Sequence, residues 1–80
     1  MTVKEQIYEI IARRMKRDLS ELRGDMNLKK DLGADSIDTV EIVFEIEELY
    51  GVDVPDDLAE TINTIDDAVA VINNSVDGVT

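Results

Sequence analysis

Apolar residues fall into four stretches of helical spacing separated by polar turns. Val3, Ile7, Ile10, Ile11 and Met15, with Ala12 beside them, recur at i, i+3 and i+4, the spacing that brings side chains onto one face of a helix, and predict a helix over about residues 3–17. From 18 to 35 the rhythm is lost. Leu19, Leu22, Met26, Leu28 and Leu32 stand at irregular intervals, interrupted by Gly24 and Gly33. This predicts a long ordered loop pinned by apolar anchors, of a length that usually carries function or a helical turn of its own. Gly33, free to adopt positive φ, lets the chain turn sharply into Asp35 and Ser36. Helical spacing resumes over 36–50 and stops at Gly51, which is placed to close the helix in a left-handed cap. Pro55 then biases Val54 away from helix. Residues 56–61 have room for a turn or two, with Leu58, Ala59 and Ile62 facing inward. Thr64, with Asp67 three residues on, has the form of an N-cap for a last helix over about 65–73 that buries Ile65, Ala68, Val69 and Ile72. Residues 75–80 read as a frayed tail. The pattern is all-α, in one domain over 1–80.

The stretch 36–50 carries two apolar stripes where a simple core helix would carry one. On a helical wheel, Thr39, Ile42, Val43, Ile46, Leu49 and Tyr50 fall on one side, and Ile37, Val40 and Phe44 fall almost opposite. The second stripe is bordered by Asp38, Glu41, Glu45 and Glu48. Both stripes cannot face the same core, and so short a chain has few other helices to cover the second. An outward apolar spot rimmed with carboxylates is the better reading, and such patches mark partner surfaces.

Composition sharpens this picture. Of 80 residues only Tyr8, Phe44 and Tyr50 are aromatic, so the core is built from Ile, Val, Leu, Met and Ala and has little bulk per side chain. All eight bases precede Asp31, while fourteen of the nineteen acids lie from Asp31 onward, for a net charge of −11. A field of that sign repels nucleic acid and anionic lipid and steers towards basic protein surfaces. Arg13, Arg14 and Arg17 lack the interleaved aromatics of a nucleic-acid patch and read as a solvated or internally paired face. There is no apolar run of the ~18 residues that would span a bilayer. The first helix is basic and amphipathic, like a targeting segment, but Glu5, Glu9 and its core stripe argue against that role. Cytoplasmic residence is the expectation.

The chain has neither cysteine nor histidine, which excludes disulfides and any Ser-His catalytic pair. Lys29 and Lys30, in a polar loop, should stay protonated and serve poorly as a base for Ser36. No catalytic group is assigned and no enzyme is expected. Asp31, Asp35 and Asp38 do not follow the spacing of a calcium loop, so no dedicated metal site is expected either. Asp35 or Ser36 has the form of a helix N-cap. A serine at that position is also a sound anchor for a phosphodiester, because the backbone N–H groups and dipole at a helix start stabilise an attached phosphate.

The run DLGADSIDTVEIVFEIEELYGVDVPDD resembles the central region of the free-standing bacterial acyl carrier proteins of fatty acid synthesis. LGADSIDTVE is the specific part of the match, and the similarity continues through Ala59, Glu60, Ile62 and Thr64 and covers nearly the whole chain. The resemblance implies a four-helix bundle with three main helices, a short third helix and a long loop between helices 1 and 2. It also implies a 4′-phosphopantetheine group, taken from coenzyme A by a phosphopantetheinyl transferase with magnesium and attached to Ser36. Its thiol would hold fatty acyl chains as thioesters. The recognition surface would be Asp35, Ile37, Asp38, Val40, Glu41, Phe44, Glu45, Glu47 and Glu48, meeting basic surfaces of the transferase and of fatty acid synthesis enzymes. The acyl chain would shelter among Val43, Ile46, Val54, Ala59, Ile62 and Ile72. The protein is expected to be a monomer, bound to no nucleic acid and inserted in no membrane.

Four positions depart from the family pattern and bear on partner preference: Ile37 in place of leucine, Phe44 in place of a flexible methionine, Glu45 at a position often small, and Leu49 in place of an acid. Two other readings stand beside the first. One is a carrier of another cargo, such as a polyketide, a specialised lipid or D-alanine. The other is an unmodified acidic helical module that binds basic proteins.

Overall fold

A computed structural model describes residues 2–77. It is built of four helices and has no strand among these residues: α1 (Val3–Met15), α2 (Ser36–Tyr50), α3 (Asp56–Ala59) and α4 (Ile65–Asp77). Thr2 starts α1, its hydroxyl accepting the Glu5 N–H at 3.1 Å. The helix ends at Met15, two residues before the sequence pattern does, because Lys16 turns to φ +55 and the Arg17 N–H closes back on the Ala12 carbonyl at 2.9 Å. Lysine carries no sequence signal for a left-handed cap, so periodicity alone overruns the stop.

The connection from α1 to α2 contains one 3-10 turn, Leu19–Glu21, and is otherwise irregular but well tied down. Asn27 organises its centre. The side-chain oxygen of Asn27 accepts the N–H groups of Lys29 and Lys30, both at 2.9 Å, and its own N–H donates to Asp31 at 2.7 Å. Backbone bonds then stitch the loop to the start of α4: Leu28 N–H to the Asn63 carbonyl at 2.8 Å, Ile65 N–H to Met26 at 3.2 Å and Asp66 N–H to Gly24 at 2.9 Å. At Gly24 the approach is so close that a Cβ would lie 2.1 Å from the Asp66 carboxylate. Leu22, Leu28, Leu32 and Ala34 are buried and anchor this loop. Leu19, expected among the anchors, is instead exposed. Gly33, at φ +76, redirects the chain into α2.

A reciprocal capping box begins α2. Asp35 accepts the Asp38 N–H at 2.8 Å, and Asp38 accepts the Asp35 N–H at 3.2 Å. Gly51 ends the helix at φ +65. The third helix is a single turn without a side-chain cap, and Leu58, expected to face inward, is exposed. Thr64 and Asp67 form a second reciprocal cap at α4, with bonds of 3.1 and 3.0 Å, and Asp67 also accepts the Asn63 N–H at 3.1 Å. Those backbone bonds favour its ionised form and lower the Asp67 pKa. The last helix continues to Asp77, past the stop expected near 73 and into part of the stretch read as a tail; 78–80 lie outside the described residues. Neither glycine nor proline occurs from Thr64 to Asp77, and Ser75 returns its hydroxyl to the Val71 carbonyl at 3.0 Å, so the polar run 73–75 does not interrupt the helix.

Helix α1 packs on both α2 and α4. The most deeply buried large side chains are Ile7, Ile11, Leu28, Ile42, Ile46, Ile65 and Ile72, with no aromatic ring and no charged group among the buried residues described. Tyr50 is half-buried at the edge of this core and donates its hydroxyl to Gln6; burial raises its pKa. Leu49, placed on the core stripe by the wheel, is 51% exposed.

Candidate functional site

Ser36 is the first residue of α2 and is exposed. Because Asp35 does the capping, Ser36 keeps an open hydroxyl at the positive end of a fifteen-residue helix. Beside it opens a cleft of about 490 Å³ between α2 and the segment from α3 to Asn63. Its apolar wall is Val40, Val43, Ala59 and Ile62; its polar mouth is Lys29, Ser36, Thr39, Asp56, Glu60 and Asn63. An exposed hydroxyl at the edge of an apolar recess suits a tethered group with an anionic root and an apolar end. The carboxylates nearby in sequence are engaged in backbone hydrogen bonds: Asp31 with Asn27, and Asp35 and Asp38 with each other. Among the described residues no group of histidine, cysteine or acidic side chains could hold a metal ion.

The residues expected to shelter an acyl chain divide in two. Val43, Ala59 and Ile62 line the cleft, whereas Ile46, Val54 and Ile72 are buried in the closed core and do not form its wall. Val40, assigned from sequence to the outer stripe alone, also borders the cleft. Lys29, Glu60 and Asn63 at the mouth were not anticipated. Lys29 is brought there by the path of the loop, which no local pattern encodes.

The second stripe of α2 faces outward: Ile37 and Val40 are 66% exposed and Phe44 58%. Its carboxylates are not equivalent. Glu48 is exposed. Glu41 pairs with Arg14, and Glu45 is drawn half-buried against α1, pairing with Arg13 and lying 3.4 Å from the Arg14 Nε. Glu47 turns the other way and accepts the Val54 N–H at 2.7 Å, fastening the segment that leads into α3. Glu45 and Glu47 are thus held by internal contacts and do not stand free on the rim. The wheel gives each residue's angle around α2 but not the donor that waits beside it.

Over residues 5–72 the chain matches the family described as the phosphopantetheine attachment site. It is also similar to a solved acyl carrier protein from Enterococcus faecalis, whose structure is described for components contributing to high thermal stability. The identity is 34%, covering 91% of this chain and 94% of that one, with a TM-score of 0.77. The chain belongs to the bacterial acyl carrier proteins, within a family defined by covalent attachment of 4′-phosphopantetheine. It is a carrier, and a carrier takes an acyl cargo and interacts with enzymes. Among the described residues no helix is long and apolar enough to cross a membrane.

Proposed function

We propose that Ser36 bears the phosphopantetheine group and that the protein, without catalysing a reaction itself, carries fatty acyl chains as thioesters between the enzymes of fatty acid synthesis. One observation carries this reading: the Ser36 hydroxyl stands exposed at the start of α2, relieved of capping by Asp35 and set at the mouth of the apolar cleft. When bound, the group supplies the thiol that a chain without cysteine lacks. Ser36 Oγ would hold its phosphate at the α2 N-terminus, and Val43, Ala59 and Ile62 would shield the acyl end from water. Ile37, Val40 and Phe44 would dock on partner enzymes, with acids around them drawing basic surfaces, so that the affinity of docking falls as salt rises. The likeness of LGADSIDTVE to the carriers of fatty acid synthesis favours that cargo over a polyketide, a specialised lipid or D-alanine. The net charge of −11 opposes self-association and supports a monomer, which we assign to the cytoplasm.

The test is the intact mass before and after incubation with coenzyme A, magnesium and a broad-specificity phosphopantetheinyl transferase. The expected result is a gain of one phosphopantetheinyl group by the native chain and none by Ser36→Ala. No gain in a folded, unmodified sample with several transferases would replace the carrier reading with that of an unmodified module for basic proteins.

A further inference from the structure

All eight cations of the chain precede Asp31, yet two of them reach α2. Arg14 joins Glu41 through Nη1 and approaches Glu45 Oε2 with Nε at 3.4 Å, while Arg13 Nη2 joins Glu45 Oε1. Glu45 Oε2 is closed off from water and has no hydrogen-bond partner among the described residues, so that carboxylate depends on the two guanidinium groups for compensation. Glu48, one helical turn past Phe44 on the outward side, makes no ion pair among the described residues. The acidic rim of the apolar stripe is therefore lopsided. A basic group arriving at Glu48 meets a full negative charge. One arriving at Glu41 meets a carboxylate already shared with Arg14, with the charge of Arg13 close behind.

We infer that Arg13 and Arg14 are specificity determinants of the α2 surface: they neutralise its α1 flank and direct the cations of a docking enzyme to Glu48. The partner that fits has a basic residue opposite Glu48 and a neutral or acidic one opposite α1. This inference rests on docking through α2 as proposed above.

The test uses the full chain as substrate of a broad-specificity phosphopantetheinyl transferase with coenzyme A and magnesium, comparing KM values at low salt. Lys4→Gln is the charge-matched control, since Lys4 stacks over the Tyr8 ring near the far end of α1. Arg14→Gln, relative to Lys4→Gln, is expected to lower KM by about two- to fivefold, the range that exposed ion pairs span. Arg14→Lys, which keeps the charge, should shift KM less than Arg14→Gln even if both melt lower, a result that mere loosening of α1 would not give. In the native chain Glu48→Gln should raise KM more than Glu41→Gln, and the effect of Glu41→Gln should grow once Arg14 is Gln. Equal KM values for Arg14→Gln and Lys4→Gln, or equal effects of Glu41→Gln and Glu48→Gln, would overturn the inference while leaving α2 docking intact. If Phe44→Ala and Glu48→Gln both leave KM untouched, docking through α2 fails and this inference falls with it.

Discussion

Loading the chain with acyl groups of increasing length should stabilise its fold step by step until the cleft is full. The cleft has a volume of about 490 Å³ and an apolar wall of Val40, Val43, Ala59 and Ile62, but it is a groove open to solvent and not an enclosed cavity. A fully buried methylene contributes about 0.8 kcal/mol, and a groove open on one side shelters roughly half of each, giving about 0.4 kcal/mol per methylene. Going from a butyryl to an octanoyl thioester adds four methylenes, hence about 1.6 kcal/mol, which for a domain of this size is roughly 6–13 °C in melting temperature. An unbound chain would leave the melting temperature flat, because stabilisation requires contact with the native state and not with the unfolded one. The assay is thermal unfolding by circular dichroism of the phosphopantetheinylated protein loaded in turn with acetyl, butyryl, hexanoyl and octanoyl groups. Ala59→Leu is the companion variant, since it adds bulk on the cleft wall without entering the closed core. Its unloaded form supplies the reference, and its melting curve should stop rising at a shorter chain than the native one. A flat series in the native protein would refute sheltering in this cleft. A series that rises equally in Ala59→Leu would place the chain elsewhere.

Three other outcomes follow from the fold. Lys16→Gly should raise stability by about 0.5 kcal/mol in a urea titration, because glycine relieves a left-handed residue whose strain is of order 1 kcal/mol, less the loss of a cation at the α1 C-terminus; a drop would show that the cap is unstrained. Asp67 has its pKa lowered by the Thr64 and Asn63 N–H groups, so its contribution is present above the unfolded value of about 3.9 and is lost as pH falls through that value towards the lower folded one. Asp67→Asn should therefore lower stability at neutral pH by an amount that shrinks in acid, whereas a difference independent of pH would contradict the assignment. With a net charge of −11, the melting temperature should rise with added sodium chloride and further with magnesium, and indifference to both would show that self-repulsion is not a significant term.

Helix α2 was the most legible element in the sequence because three independent signals agree on it. An N-cap candidate, Asp35 or Ser36, opens it, a glycine closes it, and two stripes between them separate core from surface; Ile37, Val40 and Phe44 stand exposed while Ile42, Val43 and Ile46 are buried. The same wheel misplaced Leu49, since it gives an angle and not what packs at that height, and the last turn of α2 leaves that side chain uncovered. Leu58 was misread because a helix of one turn has no face that periodicity can define. Nor could the chain's sequence place Lys29 at the cleft mouth or Glu47 on the Val54 amide, because both depend on loops held by contacts distant in sequence.

The asymmetry of α2 also explains how so acidic a chain holds an uncovered apolar stripe next to its fold. From Asp31 onward the chain has fourteen acids and no base, and the acids that border Ile37, Val40 and Phe44 keep the patch soluble while adding repulsion. Spending two of the eight cations on Glu41 and Glu45 relieves that repulsion where α1 and α2 must meet, and lets Glu45 be drawn half-buried between them. The opposite flank is relieved differently, by turning Glu47 onto a backbone amide. Glu48 lies between these two arrangements, exposed and without an ion pair among the described residues, so the strongest attraction for a basic partner falls at the Phe44 end of the stripe. Ser36 lies at the other end of the same helix, about 18 Å away at 1.5 Å per residue. A partner anchored at Glu48 and Phe44 would thus lie along α2 with its active site reaching towards Ser36, leaving the hydroxyl and the cleft mouth open to it.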